Sequence, residues 1–212
     1  MNRRQFAGRL FAFFALLSTL GSALVMSGCN LFTDIMNWIP VGEAALNSIL
    51  SVLTGNGVVI SPAIQSIVAL IEAAFAALTA AIKEYQSTTP PPVGALAKIE
   101  TAFADLANNF TTFLSSLNVS GGLLGIITGL AQVVFSTIAA FVNQLPASAS
   151  LKRTTARIST VKVGPNVITV TPKMRTRRAF KKDWNATLKT APSVGVICPA
   201  SAYLPVSFFE RF

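Results

Sequence analysis

Residues 94–117 read GALAKIETAFADLANNFTTFLSSL, and this stretch decides the fold class. Its large apolar residues are Leu96, Ile99, Phe103, Leu106, Phe110, Phe113 and Leu117, separated by alternating steps of three and four. On an α-helix that spacing gathers them into one stripe, the seam along which bundled helices pack. Lys98, Glu100, Thr101, Asp105, Asn108, Asn109, Thr112 and Ser116 cover the rest of the helix. A helix with one apolar stripe and one wet side belongs to a bundle in contact with water.

Working outward, Pro90, Pro91 and Pro92 stop whatever helix precedes this one. The preceding apolar stretch, 61–86, starts with Ser61 as a cap and Pro62 at the first helical position. Its polar residues Ser61, Gln65, Glu72, Thr79 and Lys83 form one narrow line, so a helix buried on most sides is expected. A shorter helix is expected over 41–54, with Glu43, Asn47 and Ser51 outward, ended by Gly55-Asn56-Gly57. A fourth is expected over 122–144. Leu123, Ile127, Leu130, Val134, Ile138 and Phe141 mark one of its faces, and Thr128, Gln132, Ser136 and Asn143 the other. That segment rises about 33 Å, enough to cross a bilayer. Gly121, Gly122, Gly125 and Gly129 give it small-residue spacings of the kind membrane helices use for close packing. Regular polar residues also suit the centre of a small bundle, which is the reading adopted. Short loops imply antiparallel neighbours.

After 145 the character changes. Pro146 to Leu151 reads as a linker. Residues 157–163 and 167–171 are rich in Val, Ile and Thr around Gly164-Pro165-Asn166, which predicts a β-hairpin. Next come Lys173, Arg175, Arg177, Arg178, Lys181 and Lys182, with Phe180, Trp184 and Leu188 at four-residue steps. The expectation is a basic amphipathic helix. The architecture expected is thus mainly α: an antiparallel bundle of three to four helices over 41–145. A basic hairpin-helix appendage over 152–190 and an irregular tail over 191–212 follow it.

Composition sets limits on function. Hydrophobic residues make up 52% of the 212 and charged residues 12%, about half the usual share. Such a chain is not disordered. Two Cys make no disulfide scaffold. The absence of His removes Ser-His-Asp and Cys-His catalysis and the commonest zinc ligand. The acids are few and scattered, which suits no metal cage, and no cofactor is expected. Cys198 sits among apolar residues and reads as a small core side chain; a bridge to Cys29 is conceivable only if Cys29 carries nothing else. Glu72 is the sole acid within 61–82 and reads as lying on the polar line rather than buried. An enzyme is therefore not expected.

The charge is uneven. Residues 1–29 carry +3, 30–150 carry −4 and 151–212 carry +10, for a net +9. Basic residues with interleaved aromatics suit an anionic lipid or envelope glycan, and Arg175, Arg177, Arg178, Lys181, Lys182 and Trp184 are the candidate contacts. Nucleic acid could be gripped by the same side chains but seldom meets an exported protein. The plain alternative is that Phe180 and Trp184 pack inward while the cations face water.

Export is suggested by the start of the chain. Arg3, Arg4 and Arg9 precede an uncharged run over 10–26, followed by Met26-Ser27-Gly28-Cys29. These parts resemble a bacterial lipoprotein signal peptide, whose Cys becomes the lipid-bearing first residue of the mature protein. Met26 stands where that family usually has Leu. Arg3-Arg4-Gln5-Phe6 also resembles the twin-arginine export motif, with Asn2 and Ala7 as departures. The resemblance covers residues 1–29 and implies cleavage before Cys29, a lipid anchor there and a tether over 29–40. Asn30 in place of Asp implies the outer membrane. The expected role is a non-catalytic, membrane-anchored lipoprotein of the cell envelope. The alternative is an integral, pore-forming or holin-like protein spanning near 10–26 and 122–144, its basic ends on one side.

Overall fold

The structure is a computed structural model and describes residues 33–88, 91–145 and 171–204. The bundle belongs to the unit Ile35–Phe212. Its helices are α1 (33–55), α2 (Pro62–Gln86), α3 (Ala95–Ser116), α4 (Gly121–Val142) and α5 (Arg177–Lys189). Two single 3-10 turns follow, Ala191–Val194 and Ala200–Ala202.

Local chemistry starts most of these helices where the sequence places them. The Ser61 hydroxyl accepts from the Ile64 amide at 3.3 Å with Pro62 in the first turn, Ser120 caps α4 through Leu123 N, and Thr176 caps α5 through Ala179 N. Each cap satisfies one of the amides that a helix start leaves unpaired.

α2 and α3 form an antiparallel pair. Near the connection Lys98 pairs with Glu84, and farther along the Asn109 amide donates to the Leu70 carbonyl. Phe103, Leu106, Phe110 and Phe113 of the α3 stripe are buried, as is Ile99, while Leu96 is half-buried. α4 is the central helix. Its Phe135 meets Phe103 and Phe110 edge-on at centroid distances of 6.0 and 5.4 Å. Its Phe141 lies 5.9 Å from Trp38 of α1. α5 packs along α4, where Gly129 lets the Thr187 methyl approach; a Cβ there would stand 2.9 Å from it. Gly122 plays the same part for the Val194 carbonyl. Two of the glycines that resemble membrane-helix packing thus serve close contact within this bundle.

Three expectations are corrected. α1 is already helical at 33, not first at 41, so residues 33–40 are not an extended tether, and Pro40 lies inside the helix. An interior Pro costs about 3 kcal/mol. Burial of Ile35, Trp38 and Ile39, roughly 1.5–3 kcal/mol each, exceeds that cost. The described part of 152–190 is no appendage, because α5 buries Phe180, Trp184 and Leu188 in the bundle. The described part of the 191–212 tail is irregular apart from its two 3-10 turns. It lies back on the bundle, with Ala191, Val196, Ala202 and Leu204 buried. Asn56 clasps Ile197 through both its amide atoms, at 2.7 and 2.8 Å. Finally, α2 is not buried on most sides; Ala69, Ala73, Ala76, Ala77 and Ala80 face outward with Glu72. The strands of the expected hairpin, 157–163 and 167–171, lie outside the described residues except Thr171, and no strand occurs among the described residues. The signal peptide, Cys29 and the 146–151 linker also lie outside them.

Candidate functional site

The basic helix divides its cations into two sets. Phe180, Trp184 and Leu188 point into the bundle, almost wholly buried. Phe180 packs 4.9 Å from Trp38, and the Trp184 indole donates to the Ala202 carbonyl at 3.0 Å. A ring buried on all sides with its N–H satisfied has no surface to offer, so Trp184 is removed from the expected contact set. It acts instead as the pin between α5 and the tail.

Arg175 is also turned inward, its side chain only 9% exposed. Its Nε donates to Asp183 Oδ2 at 2.8 Å, and its Nη1 donates to Ser136 Oγ and, at 3.1 Å, to Thr137 Oγ1. Both hydroxyls are buried on α4 and bond back to the Val133 carbonyl. The amide of Lys173 donates to the Ser136 carbonyl at 2.9 Å, and its ammonium lies 3.5 Å from Asp183. The Arg175 hydrogen bond, with the nearby positive charges of Arg175 and Lys173, holds the Asp183 carboxyl below the usual carboxylate range against the opposing effect of burial. This cluster fastens α5 to α4 and uses up one of the expected surface cations. A cleft of about 460 Å³ opens beside it, lined by Gln132, Ser136, Thr171, Asp183 and Thr187 among others.

The second set faces solvent. Arg178 and Lys182 are exposed, and Arg177 and Lys181 are half-buried. Lys189, absent from the expected contacts, is exposed too. At 100° per residue, Arg178, Lys182 and Lys189 fall within a narrow line, about 16 Å long. The signal for Lys189 was its spacing, four and then seven residues along the helix, which the concentration of charge upstream obscured. Because the aromatic face is buried, the exposed side of this helix carries charge and no aromatic wedge.

Elsewhere, Cys198 is a half-buried thiol, pushed up by burial and unsuited to act as a thiolate. Glu72 is exposed. Among the described residues no three His, Cys, Asp or Glu gather where a metal could be held. A second cleft, about 560 Å³, lies where the connections 56–61 and 117–120 meet Gly195, between Asn56, Ser116, Asn118 and Ser120. It has no titratable side chain in its lining.

Among the described residues, Pro62–Gln86 and Gly121–Val142 are long and apolar enough to cross a membrane, which is compatible with membrane association. The chain matches no family model, and comparison with curated proteins and with solved structures finds no similar protein.

Proposed function

We propose that this protein is an exported lipoprotein of the bacterial envelope, anchored through Cys29. It has a non-catalytic binding role in which α5 contacts an anionic lipid surface. The supporting observation is the exposed line Arg178, Lys182 and Lys189 on a helix whose opposite face is locked into the bundle. Such a helix keeps its charges in fixed register without needing the partner to fold it. Each cation near an anionic bilayer contributes about 1 kcal/mol, so Arg178 and Lys182 at the start of α5 together strengthen binding roughly thirtyfold, and Lys189 adds less from the far end of the helix.

The anchor and the cations are tested together on the full chain. Intact mass of the protein from its native membrane should show a chain beginning at Cys29 with acyl chains attached. Retention on phosphatidylethanolamine vesicles should rise when phosphatidylglycerol is added, and fall with salt. Reversal of Arg178, Lys182 and Lys189 to Glu should remove the phosphatidylglycerol effect. An unchanged effect sinks the cation reading, and an unmodified chain beginning at Met1 sinks the anchor.

A further inference from the structure

The bundle has two ends of different character. One end gathers the starts of α1 and α5 and the last turn of α4, since Trp38 touches both Phe141 and Phe180. The Glu84–Lys98 pair at the α2–α3 connection marks where antiparallel α2 ends and α3 begins. The other end carries the connections 56–61 and 117–120 and the segment 190–204, which meet around Asn56, Asn118 and Gly195. Those three segments contain no charged residue. The exposed cations Lys83, Lys98, Lys173, Arg178 and Lys182 lie toward the first end, and one, Lys189, closes α5 toward the other. The acids there are Asp34, exposed in the first turn of α1, Glu43 and Glu100, and Glu84 and Asp183, which are held in ion pairs with Lys98, Lys173 and Arg175.

Resting on the anchored-lipoprotein reading, we infer that the bundle docks on the same bilayer that holds Cys29. The end bearing the starts of α1 and α5 turns toward the lipid, and the uncharged end turns away. Chain length decides between the two orientations. Cys29 and Ile35 are six residues apart, a reach of at most about 20 Å. α1 rises about 30 Å between Ile35 and Gly55. With the uncharged end on the bilayer, Ile35 would stand about 30 Å above it, beyond that reach. The opposite orientation has an attraction of its own, because Val59, Val194 and Ile197 are exposed at the uncharged end and would favour lipid. The tether forbids it and leaves those side chains facing away. With the charged end down, Arg178 and Lys182 come within the 8–10 Å over which salt leaves surface charge effective, while Lys189, at the last position of α5, stands about 16 Å farther from the lipid.

The experiment uses full-length acylated protein on vesicles of phosphatidylethanolamine and phosphatidylglycerol. In a Cys198→Ser background, one fluorophore is placed through Gln86→Cys and, separately, another through Asn118→Cys. Both positions are exposed, at opposite ends. A headgroup-attached quencher should quench the Gln86→Cys probe several-fold more than the Asn118→Cys probe. Adding Arg178→Glu and Lys182→Glu should shrink that contrast without detaching the protein. Equal quenching, or stronger quenching at Asn118→Cys, in protein that floats with vesicles overturns the orientation alone. Failure to float, with an unacylated Cys29, overturns the anchor and this inference with it.

Discussion

α2 and α4 are close to twins by composition and opposites by position. Their most apolar windows have mean hydropathies of 1.8 and 1.9, yet 28% of the first and 72% of the second is buried. The difference lies in side-chain size. α4 offers Leu, Ile, Val and Phe around most of its circumference, including Phe135, Ile138 and Phe141. α2 reaches the same hydropathy largely with Ala, and Ala buries too little area to demand cover. Mean hydropathy counts both alike. A helix wearing alanines outward costs little in water, whereas α4 exposed would not be tolerated outside lipid or a core.

The largest expected effect tests the α4 side of that contrast. Phe135→Ala should cost about 3–5 kcal/mol, read by urea denaturation, because the ring is buried between Phe103 and Phe110. A loss under 1 kcal/mol would mean that α4 does not hold the centre.

Next comes the cluster that fixes α5 to α4. Asp183→Asn should cost about 1–3 kcal/mol, below the full penalty for an unpaired buried charge because Asp183 is 32% exposed. The pH dependence follows from the same carboxylate. Its pKa is lower folded than unfolded, so its contribution is complete above the unfolded value near 3.9 and is lost as pH falls through the folded one. Glu100, raised by burial, works in the opposite sense. Thermal melts should therefore show less acid loss below about pH 4 in Asp183→Asn than in the parent protein. An identical acid dependence would separate Asp183 from stability.

Two glycines of α4 sharpen the contrast further. Gly122→Ala places a Cβ 2.9 Å from the Val194 carbonyl and should destabilise by about 1–3 kcal/mol. Gly125 has open space around it, so Gly125→Ala should stabilise by about 1 kcal/mol through helix propensity alone. Matching signs would mean the tail does not press on α4.

The smallest effect belongs to α2. Leu70 is 54% exposed, and Leu70→Ser should shift stability by no more than about 0.5 kcal/mol. A much larger loss in detergent-free solution would show that the outward face of α2 is covered after all.

Much of the bundle was legible. The 3-4 stripe of α3, the Ser61-Pro62 start of α2 and the central place of α4 were each visible as residue patterns, because periodicity and caps are local. The candidate contact set was legible only as a list of cations. Arg175 and Arg178 look equivalent in sequence, three residues apart in one basic run. One is buried against Ser136 and Thr137, which lie almost forty residues upstream, and the other faces water.

Residue patterns alone set the existence of the helices, the approximate ends of α2, α3 and α4 and the concentration of positive charge after residue 151, since these depend on neighbours within a turn or two. Only the tertiary structure decided the rest. It continued α1 through Pro40 because Trp38 found Phe141 and Phe180, made the 191–204 segment part of the core, and turned Trp184 and Arg175 inward. Those outcomes depend on which distant surfaces meet, and burial against a partner outweighs local propensity at each of them.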